Sequence, residues 1–501
     1  MRLTFNHVSF TYNGAAQILF EDAHFHLSTG WTGIIGANGS GKTTLLRLIT
    51  GEILPQSGHV DVSDRWAFCP QRTDTPPPEL TAFLAEPERE ASRLRGQLRI
   101  PDDCATRWHT LSHGERKRVQ IAVALWRQPE ILLVDEPTNH LDGNARRLVG
   151  NALESFRGIG VLVSHDRGLL DRICCQCLFL APPWAELRAG NFSRAFAQKA
   201  QERERSVRDR KHAQQALKKL TVTQQRRRQE AAGADRKRSK KGIPKKDHDA
   251  KERIGRARNT GKDGRAGALT RQLDGRMKQL TGTLSHTTVE KQHRIGVQLS
   301  GHRAKQRLLL SMPEGNLALG DTRRLSHPPL FIFPDDRIGV IGDNGAGKST
   351  LIDQIISHLT ISPEEMVYVP QEVSPDDGAR IAAQVHEMPH ELQGKMLTIV
   401  NRLGTRPERL RETSVPSPGE TRKMLLAMGI LRSPSLIVMD EPTNHLDLPA
   451  VQALEDALED CPAALLLVSH DLAFLRRLTH RTWHVQKDRV VEALTLDDEM
   501  T

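Results

Sequence analysis

Two stretches carry the residue types that hold a chain of phosphates. GANGSGKT at 36–43 and GDNGAGKS at 342–349 each set three glycines, a lysine and a hydroxyl residue at the spacing of a P-loop. Gly36, Gly39 and Gly41, like Gly342, Gly345 and Gly347, allow a tight turn whose backbone N–H groups face phosphate oxygens. Lys42 and Lys348 bring positive charge to the β and γ oxygens, and the hydroxyls of Thr43 and Ser349 suit Mg²⁺. Asn38 and Thr44 belong to the first nucleotide-binding set, Asn344 and Thr350 to the second.

The remaining chemistry follows in the same order twice. Asp135 and Asp440 end apolar runs, the placement of a carboxylate that holds the metal through water, and Glu136 and Glu441 come next, able to orient or deprotonate an attacking water. His165 and His470, each between serine and aspartate, are placed to contact a γ-phosphate. Gln71 and Gln371 are read as sensors of the γ-phosphate and metal. Thus Thr43, Gln71 and Asp135 form one expected Mg²⁺ set, and Ser349, Gln371 and Asp440 the other. The offsets between copies are 306 for the lysine, 300 for the glutamine and 305 for the signature serine, glutamate and histidine. Near-constant offsets over separated motifs mean a duplicated domain.

Positioning these groups requires a buried parallel sheet. WTGII at 31–35 and RIGVI at 337–341 read as strands that feed a loop and then a helical pattern, KTTLLRLI or KSTLIDQII. ILLV at 131–134, VLV at 161–163, LIVM at 436–439 and LLLV at 465–468 are compact apolar runs of the kind buried on both faces of a sheet. The motifs fall at the ends of these runs, where such sheets hold ligands. The expected fold is α/β: two mononucleotide-binding P-loop domains, at 1–193 and 305–501, joined by a linker at 194–304.

With DEPTNHLD present in both halves, at 135–142 and 440–447, the chain resembles the ATP-binding cassette superfamily and specifically its ABC-F family of twin-cassette proteins. The resemblance covers nearly the whole chain. It implies two cassettes closing head to tail around two ATP molecules, with Mg²⁺-dependent hydrolysis of ATP to ADP and phosphate. Ser112, Gly114 and Glu115 would then complete the site of Lys348, while Ser417, Gly419 and Glu420 would complete the site of Lys42. A serine hydroxyl at a helix N-terminus is a good donor to phosphate. Asp142 and Asp447 would lie in loops crossing between the sites, with exposed helix caps as the plain alternative. Tyr12, in SFTYNG, looks like the aromatic that stacks on adenine, or else a core tyrosine.

The copies depart from the family pattern unequally. Where members resemble LSGGE, this chain has LSHGE at 111–115 and PSPGE at 416–420, and Pro416 and Pro418 restrict the second loop. The expectation is slower closure or poorer hydrolysis at the Lys42 site. SMPEGNLALGDTRRL, before residue 342, offers no counterpart to Tyr12, so base stacking there is expected to be weak or to come from another residue.

Composition sets the wider frame. The 501 residues exceed one domain, and no run approaches about 18 apolar residues, so no membrane-spanning helix and no stable membrane partner are expected. MRLTFNHVSFTYNG lacks a secretion signal, which places the chain in the cytoplasm. The six cysteines have no recurring metal spacing and are too few for a stapled secreted fold, and Cys174, Cys175 and Cys177 in RICCQCLFL read as ordinary buried thiols. The net charge of +10 is uneven: residues 201–280 hold 26 basic and 10 acidic residues, an excess of +16 that leaves −6 for the rest. Such a concentration is an electrostatic footprint for a polyanion, most simply nucleic acid.

From Arg194 to Glu230 there is neither proline nor glycine, and the composition predicts one exposed helix of about 37 residues, roughly 55 Å long. A second helical pattern at 266–292 carries Leu273, Met277, Leu280 and Leu284 as a stripe able to pack on Leu217 or Leu220. Between them, 233–265 is expected to be an irregular tip because it holds five glycines and Pro244. In the ABC-F family the linker resembles just such a hairpin, and members bind the ribosome near the tRNA exit site, some modulating translation and others protecting ribosomes from antibiotics. By that resemblance Arg226, Arg227, Arg228, Arg236, Lys237, Arg238, Lys240, Lys241, Lys245 and Lys246 are the candidate contacts to rRNA or tRNA backbone. The expected state is a monomer that pairs its own cassettes. A transporter ATPase subunit would leave the basic linker without purpose. A DNA-repair ATPase would be expected to show zinc modules or very long coiled coils, and a structural RNA scaffold would not need two hydrolytic motif sets. No long arm fits between Gln71 and Ser112, and no separate coiled-coil domain fits after Trp483.

Overall fold

The structure is a computed structural model that describes residues 1–14, 17–139, 141–237, 272–273, 275–279, 281–282, 301–320, 323–403, 416–444, 446–486 and 488–493. It divides into two compact units, one made of Met1–Ala195 with His293–Thr501, the other of Phe196–Gln292.

The first unit holds both cassettes. In the first, a six-stranded sheet runs in the spatial order Trp66–Cys69, Ile131–Asp135, Ile159–Val163, Gly30–Gly36, Cys174–Ala181, Trp184–Ala189. In the second, the order is Met366–Val369, Leu436–Asp440, Ala464–Val468, Arg337–Gly342, Arg481–Val485, Val490–Ala493. In each sheet the first five strands are parallel and the sixth returns antiparallel. Ile131–Asp135, Ile159–Val163, Leu436–Asp440 and Ala464–Val468 are buried at every position. Helices cover these strands on both faces, which is why they are apolar throughout rather than alternating. The strand runs read from the sequence therefore stand where expected, and the fold is α/β with two cassettes.

The cassettes differ at their margins. A three-stranded antiparallel sheet of Phe20–His26, Leu3–Phe10 and Ser57–Val62 covers the first. The second has two separate pairs instead, Leu310–Met312 with Leu330–Ile332 and Gly315–Leu319 with Arg323–His327. Between glutamine and signature, the first cassette has two short helices, Leu80–Ala85 and Arg89–Leu98. The second has Pro375–Glu387 and His390–Arg402, with their own apolar cluster around Met396, Val400 and Met424.

Cys174 and Cys177 are buried, but Cys175 is exposed, contrary to the reading of these three as buried thiols. The pairing of Trp31 with Cys174 and then of Thr32 with Gln176 leaves Cys175 as the extra residue of a bulge, which takes it out of the inward alternation.

The helix entering the second unit runs Phe192–Lys237, 46 residues or about 69 Å, and so continues past Glu230 and through Gly233. A glycine costs a helix only about 1 kcal/mol relative to alanine, and Ala231, Ala232 and Ala234 surround this one. On this helix the less exposed positions 206, 213 and 220 alternate with 210, 217 and 224 at heptad spacing. Residues 272–273, 275–279 and 281–282 are helical, with Leu273 and Met277 part-buried. Leu280, Leu284 and the expected tip beyond Lys237 lie outside the described residues.

Candidate nucleotide sites

Each P-loop strand ends in a turn that only glycine fits. Gly39 and Gly41 take φ of 78° and 94°, and Gly345 and Gly347 take 72° and 102°. A Cβ on Gly36 would meet Ser40 Oγ at 2.4 Å. Gly41 and Gly347 then cap the helices Lys42–Ile49 and Lys348–Ser357, so the two lysines stand at helix N-termini, where backbone donors and the helix dipole favour anions. Lys42 Nζ donates to the carbonyls of Gly36 (2.8 Å) and Ala37 (3.1 Å). Lys348 Nζ does the same to Gly342 (2.6 Å) and Asp343 (3.0 Å). Burial pulls both ammonium groups below the ordinary lysine value. Asn38, Gly39 and Thr43 are exposed around the first loop, and Asn344, Ser349 and Thr350 around the second.

The acidic pairs end the buried strands Ile131–Asp135 and Leu436–Asp440. Desolvation pushes Asp135 up to about 6, helped by the neighbouring charge of Glu136, and pushes Glu441 up to about 7 against the opposing charges of Arg146 and Lys348. Asp440 is also raised by burial. Glu136 and Glu441 adopt left-handed backbone conformations, φ 46° and 48°, a cost of about 1–3 kcal/mol that persists only where surroundings enforce it. Matching bonds do so: Glu136 N donates to Val163 O and Glu441 N to Val468 O, both at 2.8 Å. In each pair one carboxylate oxygen accepts from the histidine backbone, His165 N to Glu136 at 3.3 Å and His470 N to Glu441 at 3.4 Å. The other oxygen, Oε1 in both, is buried without a hydrogen bond. His165 Nε2 is 2.9 Å from Glu136 Oε1, and His470 Nε2 is 3.5 Å from Glu441 Oε1, in both cases outside hydrogen-bonding geometry. A buried carboxylate oxygen that accepts no hydrogen bond can take one from a water molecule.

His470 also lies 3.1 Å from Asn344 Oδ1 and 3.4 Å from Lys348 Nζ. Desolvation lowers its pKa to about 3, with Lys348 and Arg146 adding to the effect, so the imidazole is neutral near pH 7. Ser349 Oγ donates to Asp440 at 3.3 Å. A hydroxyl and a single carboxylate on one side of the P-loop fit Mg²⁺, which keeps water and phosphate oxygens as its other ligands.

A cavity of about 550 Å³ surrounds the second P-loop, lined by Lys348, Ser349, Gln371, Glu441, His470 and, from the first cassette, Leu141 and Arg146. Ser112 and Gly114, expected to complete this site, are not part of its lining. They form a helix cap instead. Ser112 and Glu115 make a reciprocal capping box at the start of His113–Trp126, and Ser417 with Glu420 repeats it at the start of Pro418–Leu431. Gly419 lies beside Arg422 and Lys423 on a smaller cavity within the second cassette. Pro418 occupies the first helical position, which lacks an intrahelical acceptor in any case, so the restriction expected of it is accommodated by the helix start.

Asp142 and Asp447 both cap helices, through Ala145 N and Ala450 N. Both also reach the opposite P-loop: Asp447 Oδ2 accepts from Asn38 N at 2.7 Å, and the charge of Asp142 acts on the ammonium group of Lys348. Tyr12 is no core residue. It is 41% exposed, its hydroxyl lies 3.1 Å from Thr44 Oγ1, and its ring meets Phe10 edge-on. At the second P-loop, Leu319, Gly320 and Arg323 line the cavity, and Arg323 donates to Gly345 O.

Motif reading missed several supporting cations. Lys117 Nζ donates to Pro70 O (2.6 Å) and Gln71 O (3.2 Å), so it fixes the backbone of the first glutamine loop. Its duplicate, Arg422, donates to Asp440 O (2.5 Å) and Glu441 O (2.8 Å) and fixes the acidic pair instead. Gln71 and Gln371 are both exposed residues of their loops, and Gln371 lines the second cavity. The only signal for these cations in the sequence was their place in the helix after each signature.

The ABC transporter family model matches residues 20–139 and 325–444, the two motif-bearing segments. The tylosin resistance ATP-binding protein TlrC of Streptomyces fradiae is 30% identical over 512 residues, covering 89% of this chain and 90% of that protein. The chain belongs to the ABC-F family of twin-cassette ATP-binding proteins. Other relatives of this ABC-F protein include the ribosome protection protein VmlR of Bacillus subtilis, 27% identical and spanning 94% of this chain and 84% of its own. The probable ATP-binding protein YheS of Escherichia coli K12 is 29% identical, spanning 96% and 78%. Among solved structures, the RNase-L inhibitor superposes with a TM-score of 0.61 at 17% identity, over 99% of this chain and 92% of that one, a likeness of fold. The ABC-F cassettes are ATP-binding domains of the class that hydrolyses ATP, and no helix among the described residues is long and apolar enough to cross a membrane.

Proposed function

We propose that this ABC-F protein is a cytoplasmic, Mg²⁺-dependent ATPase that binds the ribosome and acts on translation through its interdomain linker. The observation that carries the reading is the union in one chain of two full ATP motif sets with a +16 basic insertion. ATP binding would draw the cassettes together and fix the linker in an RNA-facing pose. Hydrolysis would then open them and release the ribosome. Mg²⁺ would be held beside Thr43, Gln71 and Asp135 in one site and beside Ser349, Gln371 and Asp440 in the other, neutralising phosphate charge. Glu136 and Glu441 would each orient a water at the unpartnered Oε1 and take its proton, while His165 and His470 meet the γ-phosphate. Tyr12 would stack on the base of the first ATP. Ser112, Gly114 and Glu115 would approach the Lys348 site only on fuller closure, as would Ser417, Gly419 and Glu420 the Lys42 site.

Arg226, Arg227, Arg228, Arg236 and Lys237, on the long helix, would contact phosphates of rRNA or tRNA. Arg238, Lys240, Lys241, Lys245 and Lys246, assigned the same role, lie outside the described residues. The test is sedimentation of an E136Q, E441Q double variant with ribosomes. ATP-dependent retention is expected, and equal sedimentation with and without ATP would overturn the reading. A second reading, protection of ribosomes from an antibiotic, is favoured by the names and coverage of TlrC and VmlR. A rise in the inhibitory concentration of a ribosome-targeting drug on expression would support it.

A further inference from the structure

The duplication makes each cassette a control for the other. At the offset of 305, Arg146 on the helix Gly143–Glu154 corresponds to Val451 on the helix Leu448–Glu459. Val451 is buried and belongs to the apolar core of its own cassette. Arg146, one turn past Asp142, does something no valine could. Its Nε donates to Leu141 O at 3.0 Å, which orients the guanidinium, and its Nη1 donates across to His470 O of the second cassette at 3.1 Å. Asp166 Oδ2, the nearest acid of its own cassette, stands 3.9 Å away. The side chain is only 20% exposed, and it lines the same cavity as Lys348, Gln371, Glu441 and His470. It therefore reaches the second ATP site from the opposite cassette.

We propose that Arg146 is a positioning residue supplied in trans to the second ATP site, holding the His470 loop in place for hydrolysis only while the cassettes are in contact. Two of its five donors are used by these bonds, and a planar fork of this kind suits a loop carbonyl beside a phosphate pocket better than a point charge does. The consequence is a one-sided dependence: second-site turnover senses cassette contact through Arg146, whereas the first site has only Val451 at the matching place. The proposal rests on ATP hydrolysis at the second site and is independent of the ribosome as partner.

The experiment uses the full chain with one site silenced at a time. In the E136Q background, where turnover reports the second site, R146A is expected to lower kcat about 10- to 100-fold with KM within about twofold, the scale of a misplaced catalytic group. Millimolar guanidinium should restore at least about threefold of the R146A loss, and R146K, which keeps the stem and the charge, should exceed R146A. In the E441Q background, R146A should leave first-site turnover within about twofold. Equal losses in both backgrounds, an unchanged kcat, or no response to guanidinium would overturn the assignment. A melting temperature of R146A matching its parent separates lost positioning from lost folding. If the E136Q parent itself shows no ATP turnover, the hydrolytic reading of the second site fails, a result distinct from any behaviour of Arg146.

Discussion

The two ATP sites are built from the same strands and motifs, yet their surroundings have diverged. At the first, Tyr12 stands over Thr44 and Asp447 of the second cassette ties down the P-loop through Asn38. At the second, the charge of Asp142 reaches Lys348 from the opposite cassette, Leu319 and Arg323 stand near the P-loop, and Arg146 reaches His470 from outside. The cassette contact is equally one-sided. Arg167 pairs bidentately with Glu455 at 2.7 and 3.2 Å, and Glu455 is 1% exposed, but the duplicate positions are Leu472 and Gly150. What is shared is the set of groups proposed to meet phosphate and water. What differs is the set of groups that sense the other cassette, and this is where duplicated sites can acquire separate tasks without losing chemistry.

The comparison breaks most sharply at the glutamates. E136Q and E441Q are each expected to slow their own site about 10²- to 10⁴-fold, as loss of a general base does, with E441Q removing the larger share of total turnover. Single-turnover hydrolysis of ATP by each variant measures the shares, and a larger loss in E136Q would reverse the ranking of the sites.

Removing Glu455 leaves Arg167 and Arg477 facing an empty, buried position. E455A is expected to destabilise the chain by about 3 kcal/mol, read as a shift in denaturant midpoint. A shift under about 1 kcal/mol would show that the cassettes do not rely on this pair.

A smaller effect should mark the base-binding side. Y12A is expected to weaken ATP at the first site about tenfold, the worth of one stacked base, and to leave the second site unchanged. Titration of a fluorescent ATP analogue into the double glutamine variant resolves the two affinities, and equal weakening at both would erase the distinction drawn from Tyr12 and Arg323.

The smallest effect belongs to the proline in the second signature. P418A returns an N–H to the first turn of Pro418–Leu431, a further donor toward phosphate at the Lys42 site, and should raise first-site turnover about two- to fivefold. No change in the single-turnover rate would mean that helix starts of both kinds serve equally.

Much of this was legible in the residues. The P-loop glycines, the acidic pairs and the histidines are local: their spacing dictates the turn, and the apolar runs before them dictate buried parallel strands. Duplication supplied a second reading of every motif. The sequence understates the linker helix because Gly233 reads as a stop, whereas neighbouring alanines carry the helix through it. The exposure of Cys175 is not legible in its neighbours, because a bulge set by pairing with Trp31 and Thr32 leaves no mark in its own sequence.

The sequence by itself determined the α/β fold, the two phosphate loops and the groups that attend them, because each depends on residues a few positions apart. Only the tertiary structure decided that Glu136 and Glu441 sit in left-handed backbone with one buried oxygen unpartnered, that Lys117 and Arg422 brace different loops, and that Arg146 and Asp447 cross to the opposite cassette. Those facts depend on which surfaces meet across hundreds of residues, and periodicity within a segment carries no information about that meeting.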